Sequence, residues 1–159
     1  MKLNKRLEAA TRMNVTSKWG SSLYQVTNYG LGGLVEAHVD PKGYHEGIEA
    51  IGEFAMYKTN GDIMATWMAW IGDEPLGGAT AFVRPNYEVT VWPTKGSAAF
   101  WFSLDKKGFR DVRTVHGGCP VFSGSKWILN RWIYYYDQHK NYPCGLHQDE
   151  KQKAFQGHY

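Results

Sequence analysis

The sequence predicts a mainly β domain, an antiparallel sandwich or barrel, with one amphipathic helix at its N-terminus. Short runs rich in β-branched and aromatic residues follow one another closely, and Gly, Pro, Asp or Asn bounds each run. This close, regular spacing is typical of antiparallel sandwiches and barrels. The chain has 159 residues, of which 43% are hydrophobic and 21% are charged, so it is long enough for one globular domain with a core.

The helix is predicted from "LNKRLEAATRM", because Leu3, Leu7, Ala10 and Met13 recur at helical spacing. Six runs after it are predicted strands: "LYQVTNYG", "GDIMATWMAWIG", "ATAFV", "EVTVWP", "GSAAFWFSL" and "KWILNRWIYYY". The segment "PKGYHEGIEAIGEFAMYKTN" lacks strand alternation, and we expect a loop there. The domain is predicted to occupy residues 1–147, and the polar residues 148–159 are predicted to form a C-terminal tail.

The charge pattern argues against two classes of partner. The net charge is only +3, and the one basic cluster falls on the predicted helix, where a solvated face explains it. No basic stripe carries regularly placed aromatic residues, so we expect no nucleic-acid binding. No apolar run approaches the ~20 residues that span a membrane, and the N-terminus lacks the apolar region of a signal peptide, so we expect no membrane partner.

A histidine and an aspartate in "EAHVDPKGYH" form the first candidate site. His38 and Asp40 are two residues apart, and alternate residues of a strand project from the same face. Two histidines and one carboxylate are the ligands of a facial Fe(II) site. His116, in "RTVHGGCPVFSGSKWILNRW", is the candidate third ligand and ends one strand-like run, and Lys126 starts another run ten residues later.

Lys126 shares one face of its predicted strand with Ile128, Asn130 and Trp132. An ammonium that points into a barrel requires an anion, because an unpaired buried charge is very costly. A dicarboxylate cosubstrate would supply one. Taken singly, His116 is better explained as a core histidine, Lys126 as a strand-edge charge and Trp132 as core. Together these separate explanations account poorly for the whole set.

The two cysteines, Cys119 and Cys144, lack the C-x-x-C spacing of a zinc site. Their spacing alone leaves both a disulfide and free thiols open.

Four stretches resemble the catalytic domain of the alpha subunit of animal collagen prolyl 4-hydroxylases: "YQVTNYGLGGLVEAHVD", "DIMATWMAWIGDEPLGGATAF", "VWPTKGSAAFWFSL" and "HGGCPVFSGSKWILNRWI". The resemblance runs from about Leu3 to about Leu146. It implies a double-stranded β-helix, or jelly roll, with the helix packed on it. It also implies hydroxylation of C4 of proline in X-Pro-Gly sequences, with Fe(II), 2-oxoglutarate, O2 and ascorbate as cofactors.

The resemblance also assigns roles to single residues. It implies that His38, Asp40 and His116 ligate iron and that Lys126 holds the distal carboxylate of 2-oxoglutarate. Tyr29 and Thr66 would line the cosubstrate pocket, and Trp132 would wall the site near the iron.

The same resemblance implies the compartment and the partners. It places the protein in the lumen of the endoplasmic reticulum, with a collagen-like proline-rich peptide as substrate and a protein disulfide isomerase subunit as a possible partner. In that oxidising compartment Cys119 and Cys144 would form a disulfide.

The sequence departs from the family pattern in three places. Val35 stands where the family has Tyr, which keeps other peptidyl substrates open. Val83 stands where the family has Pro. The chain also lacks the first strands of the family's domain, so we expect an exposed sheet edge. Besides hydroxylation of another substrate, the remaining alternative is an inactive jelly-roll module that only binds a partner.

Overall fold

The computed structural model describes residues 2–42, 60–84 and 87–145. The α-helix α1 spans Lys2–Thr11. Ten strands follow it: β1 (Gln25–Tyr29), β2 (Val35–His38), β3 (Ile63–Trp70), β4 (Leu76–Gly77), β5 (Thr80–Arg84), β6 (Tyr87–Val91), β7 (Ala98–Phe102), β8 (His116–Gly118), β9 (Val121–Ser123) and β10 (Lys126–Tyr134). Two short 3-10 helices span Val112–Thr114 and Tyr136–Gln138.

Eight of the strands form two four-stranded antiparallel sheets. The order is β1-β10-β3-β7 in the first sheet and β2-β8-β5-β6 in the second, while β4 and β9 pair separately. Eight strands in two sheets is the strand count of a jelly roll. The fold prediction is therefore confirmed. The expectation that the chain lacks the first strands of the family's domain stays a prediction.

The two inner strands of the first sheet, β3 and β10, form the centre of the domain. Seven of the eight residues of β3 are buried, and the strand reads as an apolar run rather than an alternating one. Both faces of β3 are therefore covered by other parts of the domain. In β10, burial alternates at the start of the strand, so that Lys126 and Ile128 face inward while Trp127 is exposed. This alternation aims the Lys126 side chain into the interior.

The N-terminal helix covers one end of the first sheet. Leu7 is buried in a core cluster with Met64 and Ile133, and Met13 lies in the same cluster although it follows the end of the helix. Ala10 is exposed, contrary to the predicted apolar face. Thr11 is buried instead, and its hydroxyl donates to the carbonyl of Leu7.

All six predicted strands are present, but two details of the prediction are wrong. β2 ends at His38, so that Asp40 lies beyond the strand rather than on it. His116 begins β8 instead of ending a strand, and β8 and β10 belong to different sheets. The short strands β4 and β9 were not predicted.

The two cysteines are free thiols, so the predicted disulfide is wrong for this structure. Cys119 lies near Lys126, the first residue of β10, and its backbone N–H donates to the carbonyl of Ala79. The thiol of Cys144 is 2.8 Å from the hydroxyl of Tyr135, just past the end of β10. That strand has nine residues, which corresponds to roughly 30 Å, and this separation keeps the thiols apart.

Within the part of the chain that is described, no helix has the length and apolarity required to cross a membrane. Most of the predicted loop after Pro41 and the predicted tail at 148–159 lie outside the described residues.

Candidate metal centre

Side chains from two distant parts of the sequence meet at one point of the jelly roll. The ligand atoms that His38, Asp40 and His116 offer all lie within 4.8 Å of one another. Nε2 of His38 is 3.7 Å from Oδ1 of Asp40, and Nε2 of His116 is 3.9 Å from the same oxygen. The structure thus brings together the three residues that the sequence singled out.

Strand pairing in the second sheet positions the two histidines. His38 is the last residue of β2 and His116 the first of β8, and these two residues are directly opposite in the antiparallel register. Their ring centroids are 4.5 Å apart. Cross-strand neighbours on one face come this close whenever their side chains point the same way. The N-terminal half of the chain thus contributes His38 and the C-terminal half contributes His116 to the same site.

Each histidine is oriented by the carbonyl two residues before it. Nδ1 of His38 lies 2.8 Å from the carbonyl oxygen of Glu36, and Nδ1 of His116 lies 2.8 Å from that of Thr114. A proton on Nδ1 donates to such a carbonyl and leaves Nε2 free as the ligand atom, the usual arrangement around a metal-binding imidazole. Both Nε2 atoms face Asp40.

The protonation states of Asp40 and His116 favour metal ligation. Burial raises the pKa of Asp40, but its interactions with His38 and His116 and its hydrogen bonds outweigh burial and leave the pKa below its usual value. Asp40 is therefore an anion at neutral pH. Burial lowers the pKa of His116, which favours the neutral imidazole that a metal requires. The pKa of His38 is raised, chiefly by Asp40.

These donors fit Fe(II). Two imidazole nitrogens and one carboxylate oxygen on one side of a common point are the facial set that leaves the other side open for further ligands. In this structure the donor atoms come from a buried His116 and Asp40 and an exposed His38. The exposed side gives a metal ion and its other ligands a way in.

A cavity of about 240 Å³ extends from the three residues into the jelly roll, and Lys126 lines it. The Lys126 side chain is buried; its ammonium donates to the hydroxyl of Thr80 at 3.1 Å and lies 5.7 Å from the ring centroid of Tyr29. No described Asp or Glu forms an ion pair with it. Burial lowers the pKa of Lys126 to about 8.

The other predicted residues also line this cavity. Tyr29, Thr66 and Trp132 all contribute to its wall, and so do Ile128 and Asn130 on the inward face of β10. The predicted shared face of that strand is therefore confirmed. The hydroxyl of Thr66, however, donates to Asp40 at 2.8 Å, so its observed partner is the carboxylate at the metal site.

Sequence reasoning missed three polar residues of the site. Thr80 supports Lys126, while Trp101 and Ser103 point at Asp40. Trp101 and Ser103 read as ordinary alternating residues of a strand, so their role depends on the register of β7 against β3. Thr80 follows "LGGA", and the two glycines shortly before it are the signal that could have drawn attention to it.

The match to a known family covers most of the chain. Residues 24–134 match the sequence model of the 2OG-Fe(II) oxygenase superfamily. The chain belongs to this superfamily. The matched segment includes all three proposed metal ligands and Lys126, so the family and the geometry point to the same site.

Individual relatives of this 2OG-Fe(II) oxygenase are prolyl hydroxylases by name. Prolyl 4-hydroxylase subunit alpha-2 of Gallus gallus is 35% identical over 144 residues, which are 91% of this chain and 25% of the relative. Prolyl 4-hydroxylase subunit alpha-1 of Homo sapiens is 35% identical over 151 residues, 94% of this chain and 26% of the relative. The chain spans about a quarter of the length of these curated relatives.

A solved oxygenase shares the fold. The crystal structure of the viral collagen prolyl hydroxylase vCPH from Paramecium Bursaria Chlorella virus-1, in complex with 2OG, superposes with a TM-score of 0.61 at 26% identity. The similarity covers 84% of this chain and 68% of the viral one.

Proposed function

We propose that this chain hydroxylates C4 of peptidyl proline in collagen-like X-Pro-Gly sequences, coupled to oxidative decarboxylation of 2-oxoglutarate. One observation carries the proposal: three candidate metal ligands line the same cavity as a buried ammonium that has no ion-pair partner among the described residues. The choice of proline as substrate is supported by the named relatives, which are prolyl 4-hydroxylase subunits at 35% identity.

The proposed reaction accounts for both atoms of O2. One atom of O2 enters succinate as 2-oxoglutarate loses CO2, and the other atom enters the C4–H bond of proline as a hydroxyl. Fe(II), held by His38, Asp40 and His116, would supply the redox chemistry that divides O2 in this way. The protein's own residues bind the cosubstrate, orient the ligands and keep water away from the reacting atoms.

Lys126 would bind the distal carboxylate of 2-oxoglutarate. The cosubstrate is a dianion, and its carboxylate would compensate a buried ammonium that has only a hydroxyl as hydrogen-bond partner among the described side chains. Thr80 would donate its hydroxyl proton to the same carboxylate or continue to hold Lys126. Tyr29 closes the pocket beside the ammonium. This arrangement fixes one end of the cosubstrate while the other end reaches the metal.

The presence of Asp40 as a ligand favours a hydroxylase over a halogenase. Related halogenases leave the carboxylate position open so that chloride can bind the metal. Here a carboxylate is present, ionised and hydrogen-bonded, so Asp40 would occupy that coordination position, which favours hydroxylation.

A different peptidyl substrate is the second candidate. Val35 lines the cavity at a position directly opposite Gly118 in the strand pairing. A smaller side chain there than the family's Tyr would change the surface that a peptide meets. An inactive binding module is a weaker candidate, because it has no need for all three ligands together with Lys126.

Compartment, partners and accessory factors belong to the same proposal. We infer the endoplasmic-reticulum lumen, a protein disulfide isomerase subunit and ascorbate from the resemblance to collagen prolyl 4-hydroxylases alone.

Succinate release with and without a (Pro-Pro-Gly) repeat peptide tests the function. We expect slow release from 2-oxoglutarate and Fe(II) alone, strong stimulation by the peptide and 4-hydroxyproline in the product. Stimulation by a different peptide without hydroxyproline would move the assignment to the second candidate. No succinate under any condition would support the binding module. His139→Ala, at an exposed histidine, serves as the unaffected control.

A further inference from the structure

The two carboxylate oxygens of Asp40 have different surroundings. Oδ1 faces the Nε2 atoms of both histidines, at 3.7 and 3.9 Å. Oδ2 accepts three donors instead: the hydroxyl of Thr66 at 2.8 Å, the indole N–H of Trp101 at 3.0 Å and the hydroxyl of Ser103 at 3.5 Å. One oxygen is directed at the metal position, and the other is occupied by the protein.

The three donors come from one face of the first sheet. Thr66 on β3 and Trp101 on β7 are direct partners in the antiparallel register, and Ser103 is two residues beyond Trp101. Their side chains are 2%, 8% and 0% exposed. Hydrogen bonds to an ionised carboxylate in such a dry environment are the stronger kind. Rigid strands therefore hold this oxygen from a sheet that does not carry the histidines.

Asp40 requires such support because its own backbone lies outside a strand. β2 ends at His38, and Asp40 lies two residues beyond that end. The strand ladder that aligns His38 with His116 therefore does not reach Asp40. Its carboxylate is aligned from the opposite sheet.

We propose that Thr66 and Trp101 are positioning residues that fix Asp40 as a one-oxygen ligand through Oδ1. With Oδ2 held by two strong donors, the carboxylate is prevented from turning both oxygens to the metal. The open side of the metal then keeps enough positions for two oxygens of 2-oxoglutarate and for O2. This inference rests on the metal site of the proposed function and concerns how that site is kept in shape.

Trp101 also packs against the ligand on the other side of the site. Its ring centroid is 4.8 Å from that of His116, at an interplanar angle of 64°. Trp101→Phe removes the N–H donor and keeps an aromatic ring against His116. Thr66→Val removes the hydroxyl and keeps a β-branched side chain suited to β3. Both changes thus delete a hydrogen bond. Thr66→Val nearly keeps the side-chain volume, whereas Trp101→Phe also leaves a cavity in the core, for which a control is required.

Trp70 provides a matched control for the tryptophan change. It is 2% exposed, belongs to the same core cluster as Trp101, and its indole N–H has no hydrogen-bond partner among the described residues. Trp70→Phe therefore removes a buried N–H of the same kind that does not touch Asp40. Thr66→Ser is the corresponding control that keeps the hydroxyl.

Mn(II) affinity, measured by the loss of the free-ion signal in electron paramagnetic resonance, tests the proposal without turnover. We expect Thr66→Val and Trp101→Phe to weaken Mn(II) binding by about 10–100-fold each, as supporting residues of metal ligands do. Thr66→Ser should stay near wild type, and Trp70→Phe should be unchanged. Wild-type affinity in both Thr66→Val and Trp101→Phe would overturn the proposal, as would equal losses in Trp70→Phe.

The spectrum of bound Mn(II) gives a second readout that packing defects do not imitate. A released Oδ2 changes the coordination of Asp40, so the bound-ion spectra of Thr66→Val and Trp101→Phe should differ from wild type at saturating metal. Identical spectra would contradict the positioning role. Failure of the proposed function looks different, because wild-type protein would then bind Mn(II) yet release no succinate.

Discussion

The ammonium of Lys126 donates to the hydroxyl of Thr80 at 3.1 Å, and both side chains are buried in the wall of the cavity that holds the three metal ligands. A hydroxyl is a weak partner for a buried charge. The distal carboxylate of 2-oxoglutarate is the partner that completes this pair, and three predictions depend on it.

Replacing Lys126 should impair the cosubstrate and spare the metal. Lys126→Ala is expected to raise the KM for 2-oxoglutarate by about 30–5000-fold, since loss of a buried charged partner costs about 2–5 kcal/mol. Lys126→Arg should not restore it, because the guanidinium is longer and planar. The checks are 2-oxoglutarate kinetics and Mn(II) affinity, with Lys95→Ala, at an exposed lysine, as control. Unchanged kinetics in Lys126→Ala would contradict the pocket assignment.

Cosubstrate binding should weaken as the pH rises past 8. Burial lowers the pKa of Lys126 to about 8 in the protein without ligand. A bound carboxylate favours the ammonium and raises that pKa, so binding takes up a proton above pH ~8. The KM for 2-oxoglutarate should therefore rise by up to about tenfold per pH unit between pH ~8 and ~9.5. A flat profile over that range in wild type, or the same profile in Lys126→Ala, would show that Lys126 does not titrate in this way.

The ligand-free protein should be stabilised by Lys126→Met. Because the folded-state pKa lies below the value of an exposed lysine, folding disfavours the charged form. That cost is fully present below pH ~8 and is relieved between pH ~8 and ~10.5, where the unfolded chain binds the proton and the folded chain does not. Thermal unfolding should give a higher Tm for Lys126→Met at pH ~7, and the gap should narrow as the pH rises. A lower Tm for the variant at pH ~7 would oppose this account.

Much of the fold follows from local patterns in the chain. The six predicted strands are long and rich in aromatic and β-branched residues, so their sequences favour a strand over a helix or a turn. The strands β4 and β9 have two and three residues. Such short strands form because neighbouring segments pair with them, and local sequence carries almost no trace of that pairing.

The site was predicted only in part, for a related reason. His38 and Asp40 are two residues apart in the sequence, and His116 and Lys126 carry distinctive chemistry. Trp101 reaches Asp40 only because β7 pairs with β3 in one particular register. The disulfide that the resemblance implied is absent, because Cys119 and Cys144 lie near opposite ends of β10. The number of residues between two cysteines does not predict their distance in the fold.

The metal site itself is tested most directly by titrating Fe(II) into the protein with 2-oxoglutarate under anaerobic conditions and following the visible charge-transfer absorption of the Fe(II)–2-oxoglutarate chelate. Wild type should saturate at one Fe(II) per chain, and His139→Ala should match it. His116→Ala and His116→Gln, far in sequence from His38 and Asp40, should lose the absorption or require about 100-fold more iron, as expected when one of three ligands is removed. Wild-type absorption and affinity in both His116 variants would contradict the three-ligand centre.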